Sequence, residues 1–194
     1  MKLYYESGTS ALASHIALIE AGFTPAMIKV DIPTHRTAAG DDYYAVNPKG
    51  CLPSIVFQNG EKLTESVAIM DWAAQQSPEL KPRNEEERMR LIEMLAFIST
   101  EIQKPLIFTF FIPGDEAISV IRDMVAGRFE LLGKVIGDGY VLGERYTVAD
   151  ALLYVVLRWA GMIGMNVPDN IDAYMKRIEA RPAVQQALRE EGLA

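Results

Sequence analysis

Short apolar runs alternate with a helical pattern over residues 1–77. Residues 2–5 form an apolar run that is typical of a buried strand. Leucine and isoleucine then recur at helical spacing over residues 10–21, and Gly22 follows as a C-terminal stop signal. Residues 26–30 predict a second strand, so the order of these elements indicates a βαβ unit.

A polar stretch over residues 33–42 separates this unit from a predicted hairpin and helix. Residues 54–57 form an apolar, β-branched run, and an Asn-Gly pair at 59–60 separates it from a second, shorter run. Asn-Gly favours a hairpin because both residues tolerate positive φ. Helical spacing returns over residues 65–76, which completes a βαβ–ββα order.

The pattern changes to helices alone after residues 78–84, a polar segment with two prolines that we interpret as a linker. Amphipathic patterns follow over residues 86–103, 115–136, 148–162, 171–180 and 183–190. The segment 148–162 is apolar on nearly all sides, which predicts a helix inside the second domain. The sequence thus predicts an α/β domain over residues 1–77 and an all-α helical domain over residues 85–194.

The acidic composition limits the partners of the protein. The 194 residues include 26 acidic and 19 basic side chains, which gives a formal charge of −7, and no basic run occurs. We therefore expect neither nucleic acid nor an anionic membrane surface as a partner. Because 49% of the residues are hydrophobic, we expect a buried core.

Cysteine and histidine usage limits the compartment and the chemistry. Cys51 is the only cysteine, so no intramolecular disulfide can form, which suits a reducing compartment. We expect neither a signal peptide nor a membrane-spanning segment, and we predict a cytoplasmic protein. The two histidines, His15 and His35, lack a metal-ligand spacing, so we expect no metal and no resident cofactor.

Thr9 and Ser10 stand where the first strand passes into the first helix. A helix N-terminus has unpaired backbone N–H groups and the positive end of the helix dipole. The two hydroxyls either cap those N–H groups or help to hold an anionic group of a ligand. Capping is the more frequent role of Ser and Thr at such a position, and these residues alone favour it.

Two further segments are typical of a ligand site. Pro53 enters a strand, where it cannot donate to the ladder, so the Leu52-Pro53 bond is either trans at an edge or cis in a tight approach. Trans is the general expectation. Glu65 and Ser66 place an acid and a hydroxyl at a helix start. Since the helix N-terminus binds a carboxylate and the acid pairs with an ammonium, the two residues suit the head of an α-amino acid.

A series of motifs runs through nearly the whole chain. They are MKLYY at residues 1–5, Gly8 with Leu12, Val30-Asp31, NPKG at 47–50, Leu52-Pro53, LTESVAI at 63–69 and RYTVADA at 145–151. In this order and spacing they resemble the cytosolic glutathione transferase family, most of all its bacterial beta class. The resemblance implies a thioredoxin-like N-terminal domain, an all-α C-terminal domain, and a homodimer that takes glutathione as co-substrate.

The resemblance also implies roles for the segments described above. It implies that Pro53 is cis and presents the Leu52 backbone to the cysteinyl part of glutathione. It assigns Glu65 and Ser66 to the γ-glutamyl amine and carboxylate, in agreement with the amino-acid head inferred from the residues. Asp150, which has the form of a capping-box residue at the start of the predicted helix 148–162, is assigned to folding of the second domain.

Ser10 stands where the beta class usually has a cysteine close to the glutathione sulfur. A serine cannot form a mixed disulfide, but its hydroxyl can donate to a thiolate, as in the serine-type classes of the family. Such a bond gives roughly 1.5–3 kcal/mol and the helix dipole about 0.3–1 kcal/mol, where about 1.36 kcal/mol corresponds to one pKa unit. The hydroxyl therefore outweighs the dipole. We predict Ser10 as the catalytic residue, with Thr9 second and Tyr5 a third candidate that we interpret as a core residue.

Gln103 stands where the beta class commonly has a histidine. An amide forms hydrogen bonds but cannot exchange a proton near neutral pH, so we expect no acid–base help from Gln103. Lys104 either attracts an anionic group or is a solvated helix residue, and the sequence favours neither. We include both residues among the candidate glutathione contacts.

Cys51 and a pair of basic residues lie near the predicted glutathione segments. Cys51 is either a redox-sensitive thiol beside the ligand or a small buried hydrophobic residue, and burial is the more frequent fate of a lone cysteine. His35 and Arg36 lie where family members often place a basic contact to the glycine carboxylate, and we expect at least one of them to be a solvated loop residue. His15 is interpreted as structural.

These expectations define the predicted function. Glutathione binds across the two ligand segments, and its thiolate, stabilised by Ser10 or Thr9, attacks a small apolar electrophile without a covalent enzyme intermediate. The alternative is a glutathione-binding or protein-interaction module of the same fold with little turnover, because the usual cysteine and histidine are both absent.

Overall fold

The computed structural model describes residues 1–111 and 114–194, and these residues form two compact units. The first unit consists of Met1–Lys81 together with Pro182–Ala194, and the second consists of Pro82–Arg181. The predicted combination of an α/β part and a helical part is confirmed.

The first unit is built on a five-stranded sheet in the order β3-β2-β1-β4-β5. Its strands are β1 (Lys2–Tyr5), β2 (Ala26–Asp31), β3 (Arg36–Thr37), β4 (Ser54–Val56) and β5 (Lys62–Thr64). β1 runs parallel to β2 and antiparallel to β4, and β5 is antiparallel to β4. This mixed sheet confirms the βαβ unit, the hairpin and the thioredoxin-like arrangement. The short strand β3 lies in the stretch that the sequence predicts only as polar.

Three helices belong to the first unit: α1 (Ala11–Glu20), α2 (Ser66–Gln76) and α8 (Pro182–Glu190). Helix α1 packs against β1, α2 and α8, and it is therefore buried continuously from its first residue to Leu18. A helix enclosed in this way needs no polar face, which explains its apolar composition.

The second unit is entirely helical. Its helices are α3 (Glu85–Ile98), α4 (Lys104–Thr109), α5 (Asp115–Ile136), α6 (Val148–Met162) and α7 (Asp169–Glu179), and a π-helical turn, Ser99–Gln103, joins α3 to α4. Helix α6 is buried over nearly its whole length, as its apolar pattern predicts. Residues 1–111 and 114–194 contain no helix that combines the length and the apolar composition of a membrane span.

Asp150 is the buried polar centre of the second unit. Its carboxylate accepts hydrogen bonds from the backbone N–H of Val141 (2.8 Å), the backbone N–H of Thr147 (2.8 Å) and the Tyr174 hydroxyl (2.9 Å). Burial raises the pKa of the Asp150 carboxyl despite these donors. The predicted capping box is confirmed, and the hydrogen bonds of the buried carboxylate fit the assignment of Asp150 to folding of the second domain.

The last helix, α8, groups with the first unit, whereas the sequence predicts it as part of the helical domain. The predicted helical domain extends to the C-terminus, whereas Pro182–Ala194 groups with the sheet unit. The pattern of α8 predicts an apolar face but does not identify the surface that covers it, which explains the difference. The buried residues of α8 lie on one helical face that packs in the first unit: Ala183, Val184, Ala187 and Leu188.

Two carboxylates at the end of α8 hold the buried His15 of α1. His15 Nδ1 lies 3.0 Å from Glu191 Oε1, and Nε2 lies 2.9 Å from Glu190 Oε2. The second Glu191 oxygen accepts the backbone N–H of Gly8 at 2.9 Å. The Glu191 side chain is fully buried, whereas that of Glu190 is 38% exposed. His15 therefore joins the C-terminal segment to the segment around the start of α1, which fits its interpretation as structural.

We expect Glu191→Ala to lower the free energy of unfolding by about 3 kcal/mol, because it removes a buried carboxylate from His15 and from the Gly8 N–H. Glu190→Ala is the matched control. Its partly exposed carboxylate also contacts His15, but solvent screens that contact, and we expect a loss below about 1 kcal/mol. Urea unfolding of both variants measures the difference. Equal losses would contradict the assignment of the stronger role to the buried carboxylate.

Candidate active site

The register of three strands brings the candidate segments of the first unit to one edge of the sheet. Tyr4 of β1 pairs with Ser54 of β4, and Ser54 pairs with Thr64 of β5. Since β1 ends where β4 begins and where β5 ends, the segment after β1, the residue before β4 and the residue after β5 lie at the same edge. These positions carry the hydroxyl pair, the proline and the acid that the sequence singles out.

The hydroxyls of Thr9 and Ser10 have different partners. Thr9 Oγ1 donates to the Glu6 carbonyl at 2.7 Å and accepts the backbone N–H of Ala11 at 3.3 Å. Ser10 occupies the N-cap position of α1 without a side-chain cap, and its Oγ instead donates to the Leu52 carbonyl at 3.3 Å. The capping interpretation therefore fits Thr9 and fails for Ser10. Ser10 is only 8% exposed, and its hydroxyl points to the Leu52-Pro53 segment.

The Leu52-Pro53 bond is cis, so the general expectation of a trans bond is wrong and the form implied by the resemblance is confirmed. The carbonyl of the preceding residue, Cys51, accepts two side-chain hydrogen bonds, from Tyr43 Oη and Asn47 Nδ2, both at 2.7 Å. Tyr43 is not among the candidate residues that the sequence predicts. The feature of the sequence that could have indicated it is an aromatic residue directly after a polar stretch. In the structure this residue begins a short 3-10 turn, Tyr43–Ala45.

Glu65 and Ser66 lie at the junction of β5 and α2. Glu65 has φ 72°, in the left-handed region, and its carboxylate binds the ammonium of Lys49, which also donates to Thr64 Oγ1 at 2.7 Å. Ser66 is the first residue of α2, and its hydroxyl forms no hydrogen bond with the residues that the structure describes. An ammonium at Glu65 is the chemistry predicted for the amine of an amino-acid ligand.

Cys51 is exposed, so the interpretation of this residue as a small buried hydrophobic side chain is wrong. Its Sγ lies 3.5 Å from the Lys49 carbonyl, and it directly precedes the cis dipeptide. The structure thus places a thiol at the surface beside the candidate ligand segment. Its predicted contact with glutathione stays a prediction.

His35 directly precedes β3 and Arg36 is the first residue of that strand, and the two side chains have different surroundings. The His35 ring stacks on Tyr44 with 4.5 Å between ring centroids, and a Cβ built at Gly50 would lie 3.0 Å from His35 Cε1. His35 therefore borders the segment that leads to the cis proline. Arg36 donates instead to the Gly40 carbonyl at 2.9 Å and is exposed, which fits the expectation that at least one of the pair is solvated, although Arg36 lies in a short strand rather than in a loop.

Gln103 and Lys104 belong to the second unit. Gln103 is 7% exposed, and its Oε1 has no hydrogen-bond partner within residues 1–111 and 114–194. Lys104 is exposed, with its Nζ 5.7 Å from the centre of the Phe108 ring. The role of either residue in binding glutathione stays a prediction.

Tyr5, the third candidate for a catalytic hydroxyl, is 8% exposed. Burial raises the pKa of its phenol, and the neighbouring Glu191 carboxylate adds to the effect. Both observations fit the interpretation of Tyr5 as a core residue. Among the residues that the structure describes, no group of three His, Cys, Asp or Glu side chains could hold a metal ion.

Comparisons with known proteins agree over both units. The chain matches the family model "Glutathione S-transferase, N-terminal domain" over residues 11–76 and the model "Glutathione S-transferase, C-terminal domain" over residues 114–182. It is 40% identical to glutathione S-transferase GstA of Escherichia coli O157:H7, and the match covers all of both chains. It is 29% identical, again over the whole of both chains, to glutathione S-transferase GST-4.5 of Xanthomonas campestris pv. campestris.

Solved structures give the same result. The chain resembles the ternary complex of BphK, a bacterial GST, with a TM-score of 0.93 and 38% sequence identity. It resembles a sphingomonad glutathione S-transferase complexed with glutathione with a TM-score of 0.92 and 36% sequence identity. A beta-class glutathione S-transferase of Sphingomonas chungbukensis has a TM-score of 0.91 at 39% identity. Each of these matches covers the whole of both chains.

We expect the free energy of unfolding of Glu65→Gly to be about 1 kcal/mol higher than that of Glu65→Ala, because glycine adopts a φ of 72° without steric strain at Cβ. Both variants lose the carboxylate and its contact with Lys49, so the comparison isolates the backbone. Urea unfolding of the two proteins measures the difference. An alanine variant that is more stable than the glycine variant would mean that the Glu65 conformation carries no strain, because glycine loses more backbone entropy on folding.

Proposed function

The chain belongs to the glutathione S-transferase family, and from this premise we propose that it joins the thiolate of glutathione to small apolar electrophiles, a detoxification reaction. The observation that carries the proposal is the contact between Ser10 Oγ and the Leu52 carbonyl. It puts a hydroxyl donor beside the backbone to which the cysteinyl part of glutathione is proposed to bind.

In this proposal the amino-acid head of glutathione binds at the start of α2. The Glu65 carboxylate accepts the γ-glutamyl ammonium, in the role that the Lys49 ammonium has in the structure. The Ser66 hydroxyl and the first N–H groups of α2 bind the γ-glutamyl carboxylate. The Leu52 backbone pairs with the cysteinyl part, and these contacts together orient the sulfur.

Two further side chains complete the proposed glutathione site. His35 is proposed to contact the glycine carboxylate, which is supported by its position against Gly50. Cys51 is proposed as a side-chain contact because it is exposed next to Leu52. Neither residue takes part in the chemical step.

The chemical step depends on the ionisation of the thiol. Its proton leaves to solvent, the sulfur forms a bond to the electrophilic carbon, and the electron pair of the breaking bond departs with the leaving group. Ser10 stabilises the thiolate by donating a hydrogen bond from its hydroxyl. Its present hydrogen bond to the Leu52 carbonyl is long, at 3.3 Å, and therefore weak. The Thr9 proton is committed to the Glu6 carbonyl at 2.7 Å. Ser10 is therefore the preferred donor.

We expect Ser10→Ala to lower kcat/KM for conjugation of a chlorinated nitroarene by about 10- to 100-fold near neutral pH, with glutathione affinity kept. The pKa of the bound thiol should rise by about one to two units, so the loss shrinks as pH rises above that pKa. Thiolate absorbance of the bound tripeptide gives the pKa directly.

Thr9→Ala is the matched control for this measurement. It removes a hydroxyl that bonds within its own segment, so we expect a loss of about 1 kcal/mol in stability and an unchanged thiol pKa. A bound thiol in the wild type that is no more acidic than the free one would overturn the proposed role of Ser10. Glutathione binding without turnover would instead favour the binding-module alternative.

We further propose that the protein is a homodimer. Helix α5 exposes four apolar side chains at spacings that place them on one face, and an exposed apolar stripe favours a partner surface: Val120, Met124, Leu131 and Val135. We expect sedimentation equilibrium to give twice the 21.6 kDa mass of the chain. A monomer at micromolar concentration would contradict the proposal.

A cytoplasmic location is part of the same proposal. It is supported by Cys51, because an exposed and unpaired cysteine suits a reducing compartment. A thiol reagent applied to intact and to lysed cells tests this, since only lysis should give access to Cys51.

A further inference from the structure

Two buried side chains hold the carbonyl that precedes the candidate ligand dipeptide. Tyr43 and Asn47, 0% and 1% exposed, each donate to the Cys51 carbonyl at 2.7 Å. Tyr43 Oη also lies 2.7 Å from Ser54 Oγ. The Tyr43 hydroxyl thus bonds to the residues on both sides of Leu52-Pro53.

The direction of these hydrogen bonds follows from the number of protons. A phenol has one proton and a carbonyl has none, so Tyr43 donates to Cys51 and accepts from Ser54. Burial raises the pKa of the Tyr43 hydroxyl, which therefore keeps this proton. Since Asn47 Nδ2 is a second donor, both lone pairs of the Cys51 carbonyl are occupied from the interior of the unit.

This arrangement fixes the direction of the next N–H group. The Cys51 carbonyl and the Leu52 N–H belong to one planar peptide unit, in which they point in opposite directions. Holding the carbonyl towards the interior therefore turns the Leu52 N–H away from it. The Leu52 side chain adds a second restraint, because it packs against the core cluster to which Tyr43 belongs.

We propose that Tyr43 is a positioning residue for glutathione, which orients the Leu52 N–H by holding the carbonyl of the same peptide plane. The inference rests on the proposed function, in which the Leu52 backbone receives the cysteinyl part of the tripeptide. Tyr43 itself does not touch the reacting atoms. Loss of the Tyr43 hydroxyl therefore weakens the binding of glutathione. It does not change the ionisation of the thiol, which depends on Ser10.

Tyr43→Phe tests this with the aromatic ring retained. We expect a rise of about fivefold in KM and in the calorimetric Kd for glutathione, with kcat at saturating glutathione within about twofold of wild type. Tyr4→Phe is the matched control. The Tyr4 ring lies 5.7 Å from that of Tyr43, but its hydroxyl bonds to none of the described residues, so we expect wild-type KM and Kd.

A double variant separates positioning from stability. Tyr43→Phe leaves the buried Ser54 hydroxyl without its acceptor, and adding Ser54→Ala removes that hydroxyl. We expect Tyr43→Phe/Ser54→Ala to recover melting temperature while KM and Kd stay raised. A double variant with wild-type glutathione affinity would overturn the inference, as would equal effects of Tyr43→Phe and Tyr4→Phe.

The wild-type measurements distinguish this failure from failure of the proposed function. A wild-type protein that neither binds nor conjugates glutathione overturns the proposed function and the inference with it. A wild-type protein that does both, together with a Tyr43→Phe variant of unchanged Kd, overturns the inference alone.

Discussion

The pairing of β4 with both β1 and β5 is the constraint on which the candidate site depends. Main-chain hydrogen bonds align Tyr4 with Ser54 and Ser54 with Thr64. Because of this alignment, the three segments that carry the candidate residues lie at the same edge of the sheet. Side chains at i and i+1 of a strand point to opposite faces, so a shift of one residue would separate the candidate groups as well as the core residues. The same ladder therefore determines both the packing of the first unit and the composition of its site.

Elements with strong local signals are predictable from the sequence. The Asn-Gly pair marks the β4–β5 hairpin, and the apolar run at 148–162 marks the buried helix α6, because turn chemistry and periodicity act within a few residues. Two features could not be predicted in this way: the unit in which α8 packs and the exposure of Cys51. Both depend on which distant surfaces meet, and this information does not lie in the local pattern.

The candidate site divides in the same way. The positions of Glu65 and Ser66 at the start of α2, and of Ser10 at the start of α1, are predictable because helix starts have clear sequence signals. Their contacts with glutathione stay predictions. Tyr43 is not, since its partner lies eight residues away across a turn that periodicity does not mark. The two non-glycine residues with positive φ among the described residues, His35 and Glu65, both border the candidate site. A local backbone preference is therefore broken at two positions that border the candidate site.

The grouping of α8 with the sheet makes the first unit discontinuous along the chain, with residues 82–181 inserted between its two parts. A ribosome adds roughly 5–20 residues per second, so about 5 to 20 seconds pass between synthesis of the end of the sheet segment and that of α8. During this interval the nascent chain has the strands, α1 and α2 but not the C-terminal carboxylates that enclose His15. Completion of the unit that carries the candidate site therefore has to wait for α8, which is synthesised about 100 residues after the end of the sheet segment.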